Sequence, residues 1–173
     1  FLRPEDQLRK DSCVGQPGPS VWVEIRDDKG KVLGVGDVGE VWIKNAWLFN
    51  GYWNKPEATA EALVDGWCSV GDLGRMDDEG HLYLVDRKKN VIISGGQNIF
   101  PREIEEVLHH HTAVGDVAVV GKKDDYWGEA VTAFVVLREG QTITADALKE
   151  RCAQELARYK LPKAFHFIAE FEF

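Results

Sequence analysis

Residues 66–108 read GWCSVGDLGRMDDEGHLYLVDRKKNVIISGGQNIFPREIEEVL, and the rest of the chain is arranged around them. Within this stretch come an aspartate after a glycine (Gly71-Asp72), an acidic turn (Asp77-Asp78-Glu79-Gly80), a basic elbow (Arg87-Lys88-Lys89), a glycine pair (Gly95-Gly96) and the start of a helix at Pro101. The segments before it carry the signals of short antiparallel strands. The segments after it mix strands with amphipathic helices. The boundary is placed at the basic elbow, giving residues 1–87 and 88–173.

Before the stretch, Val21, Val23 and Ile25 alternate with Trp22, Glu24 and Arg26, the period of a half-buried strand. Asp27-Asp28-Lys29-Gly30 makes a turn, Lys31 to Val35 reads as a return strand, and Val41 to Ile43 as a third. Pro56 opens a short helix to Leu63. Trp67 to Val70 is a strand that ends at Gly71-Asp72, and Leu82, Leu84 and Val91 to Ile93 suggest paired extended segments around Arg87 to Asn90.

After the stretch, Ile104, Val107 and Leu108 give the Pro101 helix one apolar face, with Glu103, Glu105 and Glu106 near its positive end. Val117 to Val120 and Ala130 to Leu137 read as buried strands. Thr144 caps a further helix, on which Leu148, Cys152, Leu156 and Tyr159 share a face, and Phe165 to Ile168 is a last strand. The fold class is mixed α and β: an antiparallel β subdomain followed by a small α+β domain.

Composition sets the limits on function. The 173 residues are 44% hydrophobic and 29% charged, as in a water-soluble globular protein. A net charge of −8 argues against a nucleic-acid or anionic-membrane partner. Cys13, Cys68 and Cys152 are odd in number and form no CxxC pair, so they suggest neither a disulfide framework nor zinc, and a cytoplasmic location fits. No apolar run approaches the roughly 20 residues of a membrane span. The chain starts at Phe1, not Met, and is expected to be a fragment of a longer protein.

Taken singly, the candidate residues read two ways. Asp72 is either a turn aspartate or a carboxylate able to accept charge-assisted hydrogen bonds from a ribose diol. Arg87-Lys88-Lys89 is either a solvated turn or an arginine that pins a ribose or phosphate, followed by a joint. Ser94-Gly95-Gly96-Gln97-Asn98 is a loop before a helix, open to close backbone approach by a ligand or to an anion. Trp127, in Tyr126-Trp127-Gly128, either caps the core or offers a stacking face. Arg158, Lys160 and Lys163 either meet phosphates or end a solvated helix. Asp77-Asp78-Glu79 lacks the spacing of a calcium loop. His109-His110-His111 cannot share one helix face, and no metal site is expected.

The order of these signals is more telling. Gly51-Tyr52-Trp53, Gly66-Trp67, Gly71-Asp72-Leu73, Asp86-Arg87-Lys88-Lys89, Ile93-Ser94-Gly95-Gly96-Gln97-Asn98, Pro101-Arg102-Glu103-Ile104-Glu105 and Trp127-Gly128-Glu129 together resemble the adenylate-forming superfamily of acyl-CoA synthetases, peptide-synthetase adenylation domains and luciferases. The resemblance runs from about Ser12 to Ile168 and is nearest to the fatty-acyl-CoA synthetases. It implies that residues 1–87 end the large N-terminal domain and that residues 88–173 are a C-terminal lid truncated before its end.

It also implies roles. Asp72 and Arg87 would bind the nucleotide, Lys89 would be the hinge, and Ser94, Gly95, Gly96 and Trp127 would form the loop beside the pantetheine arm of CoA. The reaction would be that of a carboxylic acid–CoA ligase, on a fatty acid, through acyl-AMP, with ATP, Mg2+ and CoA. Rival readings are an adenylation domain that loads a carrier protein and a non-enzymatic binding module. Val70 stands where the family usually has Thr. The family's phosphate loop, acyl pocket and Thr-Glu motif would precede Phe1 and its catalytic lysine would follow Phe173. No catalytic residue is therefore expected in this chain, and the chain alone is expected to be inactive.

Overall fold

A computed structural model describes residues 1–171. The chain divides into two compact units, Phe1–Lys89 and Asn90–Phe173. In the first, a short helix α1 (Pro4–Gln7) leads to β1 (Cys13–Gly15), β2 (Trp22–Arg26) and β3 (Gly39–Lys44); α2 (Pro56–Ala62) follows, then β4 (Leu63–Val64), β5 (Trp67–Met76) and β6 (Leu82–Arg87). Their sheet runs β1-β6-β5-β3-β2, with β4 on β5, and every pairing in it is antiparallel.

Two strand expectations fail here. Lys31 to Val35 forms no return strand, only an isolated bridge from Val32 to Arg26. Strand β3 takes that place beside β2, from Trp22 opposite Lys44 to Arg26 opposite Glu40. Nor does β5 end at Gly71-Asp72. It continues to Met76, with Gly71 at φ +73° inside the strand. Glu40 lies opposite Leu73 and Trp42 opposite Ser69, so Val70, Gly71 and Asp72 bulge out against Val41 alone. The positive φ of glycine makes that bulge possible.

The β5–β6 turn is also a clasp. Gly80, at φ +78°, closes it by donating to the Asp77 carbonyl. Lys10 Nζ lies 2.6 Å from both Asp77 Oδ2 and Glu79 Oε1, Arg9 reaches Glu79 at 2.7 Å, and buried His81 sits 3.3 Å from Asp6 Oδ2. The carboxylates of Asp77, Asp78 and Glu79 gather within 4.8 Å of one another. The cations facing two of them come from the chain itself, which accounts for the acidic turn.

Arg9, then Lys10, hold the Glu79 carboxyl at about 2, down from an ordinary 4.5. Below about 4.5 the unfolded chain takes up a proton at Glu79 that the folded chain refuses until about 2. The clasp's contribution is therefore complete above that window and lost as pH falls through it. Acid unfolding followed by tryptophan fluorescence should show this loss of stability between those limits. A Glu79→Gln protein should show a flatter dependence there; an unchanged slope would remove Glu79 from the clasp.

The second unit starts with a hairpin, β7 (Ile92–Ser94) and β8 (Gln97–Ile99), then α3 (Pro101–His109), β9 (Val114–Asp124), β10 (Gly128–Leu137), α4 (Ala145–Glu155) and β11 (Ala164–Ile168). The sheet runs β11-β10-β7-β8 with β9 also on β10; only β10–β11 is parallel. The hairpin corrects the reading that pairs residues 82–84 with 91–93. Residues 88–90 form a 3-10 turn between the two sheets, and β6 and β7 belong to different ones.

Ile104 and Leu108 of α3 and Leu148 and Cys152 of α4 are fully buried against Ile92, Ile99, Val131 and Val135. Burial in this apolar core pushes the Cys152 thiol up to about 11. Thr144 caps α4 by accepting from Ala147 N at 3.2 Å. The helix stops at Glu155, so Tyr159 falls in a separate 3-10 turn and is exposed, off the face assigned to it. The fully buried side chains concentrate in this unit. The first buries few large apolar residues, among them Ile25 and Val41, and leaves Trp47 and Trp53 exposed.

Candidate functional site

In the first unit the register brings Asp72 and Arg87 together. They are direct partners across β5 and β6, and Arg87 Nε lies 3.0 Å from Asp72 Oδ1. Arg87 is largely exposed and Asp72 is mostly covered. An ion pair so open to water contributes at most about 1 kcal/mol to folding. What it provides is orientation: the carboxylate sits on a glycine bulge, braced by a guanidinium.

Ser69, Glu40 and Trp42, which the sequence does not single out, hold that bulge together with Lys88. Gly71 N donates to Ser69 Oγ at 3.3 Å, and Ser69 Oγ donates to Glu40 Oε1 at 2.6 Å. Glu40 Oε2 accepts from Lys88 Nζ at 3.0 Å and from Trp42 Nε1 at 3.2 Å. Burial pushes the Glu40 carboxyl up, but Ser69, Lys88 and Trp42 together hold it below its ordinary value. Glu40, Trp42, Ser69, Gly71 and Lys88 line one cavity of about 510 Å³. The only sequence signal for Glu40 is a glycine before it, and that glycine has a packing cause: a Cβ at Gly39 would lie 2.5 Å from the Arg26 carbonyl oxygen.

Lys89 lies in the 3-10 turn Lys88–Asn90 and is the last residue of the first unit.

In the second unit Ser94, Gly95, Gly96 and Trp127 also come together. Gly95 and Gly96 have φ +56° and +77°, both positive, as a two-residue hairpin turn of the mirror-image type demands. Ser94 pairs with Gln97 across the turn and with Gly128 of β10. Gly95 N donates to the Trp127 carbonyl at 2.8 Å. The Trp127 ring is so close that a Cβ on Gly95 would lie 3.1 Å from it. The glycine pair is thus a hairpin tip, not a loop at the N-terminus of α3; Gln97 to Ile99 return as β8 first, and Phe100 caps the helix without a side-chain bond.

Trp127 does not cap the core. It is 39% exposed, lies on the Gly95 turn, and carries Lys163 Nζ 4.5 Å from its ring centre. Glu129 Oε2 accepts from Ile93 N at 2.7 Å, which ties β7 to β10 beside the turn. Of the terminal basic residues, Lys160 pairs with Glu103 at 2.6 Å. The three histidines diverge: His109 lies 3.5 Å from Asp116, while His111 Nδ1 accepts from Ala113 N.

The family model of the AMP-binding enzyme C-terminal domain matches residues 103–172, and that of the AMP-binding enzyme matches residues 1–53. The chain belongs to the adenylate-forming superfamily and corresponds to the C-terminal portion of its members.

It is 44% identical over 93% of its length to a long-chain-fatty-acid–CoA ligase of Bacillus subtilis (strain 168), covering 29% of that protein. It is 41% identical over 98% of its length to an indoleacetate–CoA ligase of Aromatoleum aromaticum, covering 33%. Among solved structures, the o-succinylbenzoate CoA synthetase of Bacillus subtilis in complex with its acyl-adenylate intermediate superposes with a TM-score of 0.92 and 36% identity, over 99% of this chain and 35% of that one. The chain therefore spans about a third of the length of the relatives it matches. No helix among the described residues is long and apolar enough to cross a membrane.

Proposed function

We propose that this chain is the C-terminal third of an ATP-dependent carboxylic acid–CoA ligase. The observation that carries the reading is the Asp72–Arg87 pair, presented on a glycine bulge and followed at once by the Lys88–Asn90 turn. Asp72 accepts the ribose hydroxyls of ATP, and Arg87 braces the carboxylate and contacts the nucleotide. Lys89 is the hinge about which the second unit turns. Ser94, the Gly95-Gly96 tip and Trp127 line the path of the pantetheine arm; the Trp127 ring fills the space beside Gly95, and the open position at Gly96 lets a thin chain pass close to backbone. Residues 1–87 end the large domain and residues 88–173 belong to the lid.

The acid's carboxylate attacks the α-phosphorus of ATP. Acyl-AMP forms and pyrophosphate leaves; Mg2+ enters with the ATP. The CoA thiol then attacks the acyl carbon, its proton is lost, and AMP departs. This chain's residues contribute positioning, which converts encounters into a unimolecular step. The substrate class is a fatty acid, supported by the 44% identical long-chain relative; the run from Ser94 to Leu108 resembles fatty-acyl and aryl-CoA synthetases alike.

The test is thioester formation by the full-length protein, given ATP, Mg2+, CoA and a panel of fatty and aryl acids. Fatty acyl-CoA and AMP in equal amounts are expected. Aryl-CoA alone would move the substrate class. AMP without any thioester would redirect the acceptor to a carrier protein.

A further inference from the structure

We propose that Glu40 is the positioning residue of the nucleotide site: it sets the Asp72 bulge from one strand and the Arg87 end from the other. The inference rests on the nucleotide reading of Asp72. Glu40 lies directly across from Arg26 in the β2–β3 register, but the Arg26 side chain is taken by Glu24. That guanidinium pairs with Glu24 at 2.6 Å and lies between the rings of Trp42 and Trp67, 4.9 and 4.7 Å from their centres.

The Glu40 carboxylate turns instead across β5. Oε1 accepts from Ser69, whose oxygen in turn accepts from Gly71 N, the amide of the residue before Asp72. Oε2 accepts from Lys88, the residue after Arg87. One side chain, with 11% of its surface exposed, thus frames the Asp72–Arg87 pair on both sides. A bulge is a place where ladder hydrogen bonds are interrupted and the local backbone needs another determinant. Here that determinant is the Glu40–Ser69–Gly71 chain. Both of its oxygens are bonded to Ser69, Lys88 and Trp42, so Glu40 acts on the nucleotide through the position of Asp72.

The experiment measures AMP affinity of the full-length protein by calorimetry, with thermal melting as a check on folding. Glu40→Leu should weaken AMP about tenfold, the effect of the displaced Asp72 carboxylate losing one hydrogen bond to the nucleotide. Glu40→Gln, which keeps an acceptor for Ser69, should lie between Glu40→Leu and the natural protein. Ser69→Ala should weaken AMP in the same direction and serves if Glu40→Leu does not fold. Adding Glu40→Leu to Asp72→Ala should bring no further loss, since residues that act as a unit are not additive.

A Glu40→Leu protein that is folded and binds AMP as the natural protein does overturns the proposal, and so does full additivity in the double variant. A purely structural Glu40 would lower the melting temperature and leave AMP affinity alone. Failure of the natural protein to bind AMP would be a different result: it removes the nucleotide reading itself.

Discussion

Asp72→Ala in the full-length protein should weaken ATP binding by about 1.5–3 kcal/mol, the contribution of hydrogen bonds to a charged acceptor. The alternative for Asp72 is a purely structural aspartate, and the two differ in what the substitution costs. Its visible partner within the chain is Arg87, at 3.0 Å, and that guanidinium is 61% exposed. Losing an open ion pair costs at most about 1 kcal/mol of folding stability, so the melting temperature should barely move. The backbone is held by Gly71 and Ser69 and does not depend on the carboxylate. Large loss of ATP affinity with little loss of stability is the expected signature. Unchanged affinity would take Asp72 out of the site.

Lys89→Pro should depress one half-reaction far more than the other, by on the order of a hundredfold, the penalty for a catalytic group displaced by about 1 Å. Proline fixes φ and restrains the residue before it, here Lys88. Lys89 sits in the 3-10 turn at the very end of the first unit, and Lys88 is anchored to Glu40, so the restraint falls on the residue where the chain leaves its anchored strand. A domain that turns about such a joint serves one step in each orientation, and a stiffened joint favours one of them. Adenylation is followed by pyrophosphate release from acid and ATP, and thioester formation by giving CoA to pre-formed acyl-AMP. Equal losses in both assays would count against Lys89 as the hinge.

Much of the second unit was legible because its helices carry their own signals. Pro101, the acidic first turn and the Ile104, Val107 and Leu108 spacing define α3 without reference to anything distant, and Thr144 starts α4. The strand partners were less legible. Alternation tells that residues 31–35 or 91–93 are able to extend, but it carries no information about which neighbour they meet. The β3 strand displaced the first from β2, and β10 and β8 claimed the second. Helix α4 overran in the reading because Tyr159 keeps the period after the helix has ended, and period alone does not mark the stop.

The candidate site divides along the same line. Asp72, Arg87, the glycine pair and Trp127 stood out because their order matched a family; singly each is an ordinary residue for a turn or a core. Their contacts needed register: Asp72 faces Arg87 only because β5 and β6 pair as they do, and Gly95 meets Trp127 only because β10 lies on β7. Glu40 was illegible for a physical reason. It is a glutamate on a strand, indistinguishable by type from a solvated one, and its importance lies in turning away from water toward a bulge.

The most direct test of the central claim is carboxylate-dependent exchange of labelled pyrophosphate into ATP, run on the full-length protein and on this 173-residue chain together. Exchange is expected from the full-length protein, strongest with fatty acids, and none from the chain alone. Silence from a folded full-length protein across the whole panel of acids would contradict it.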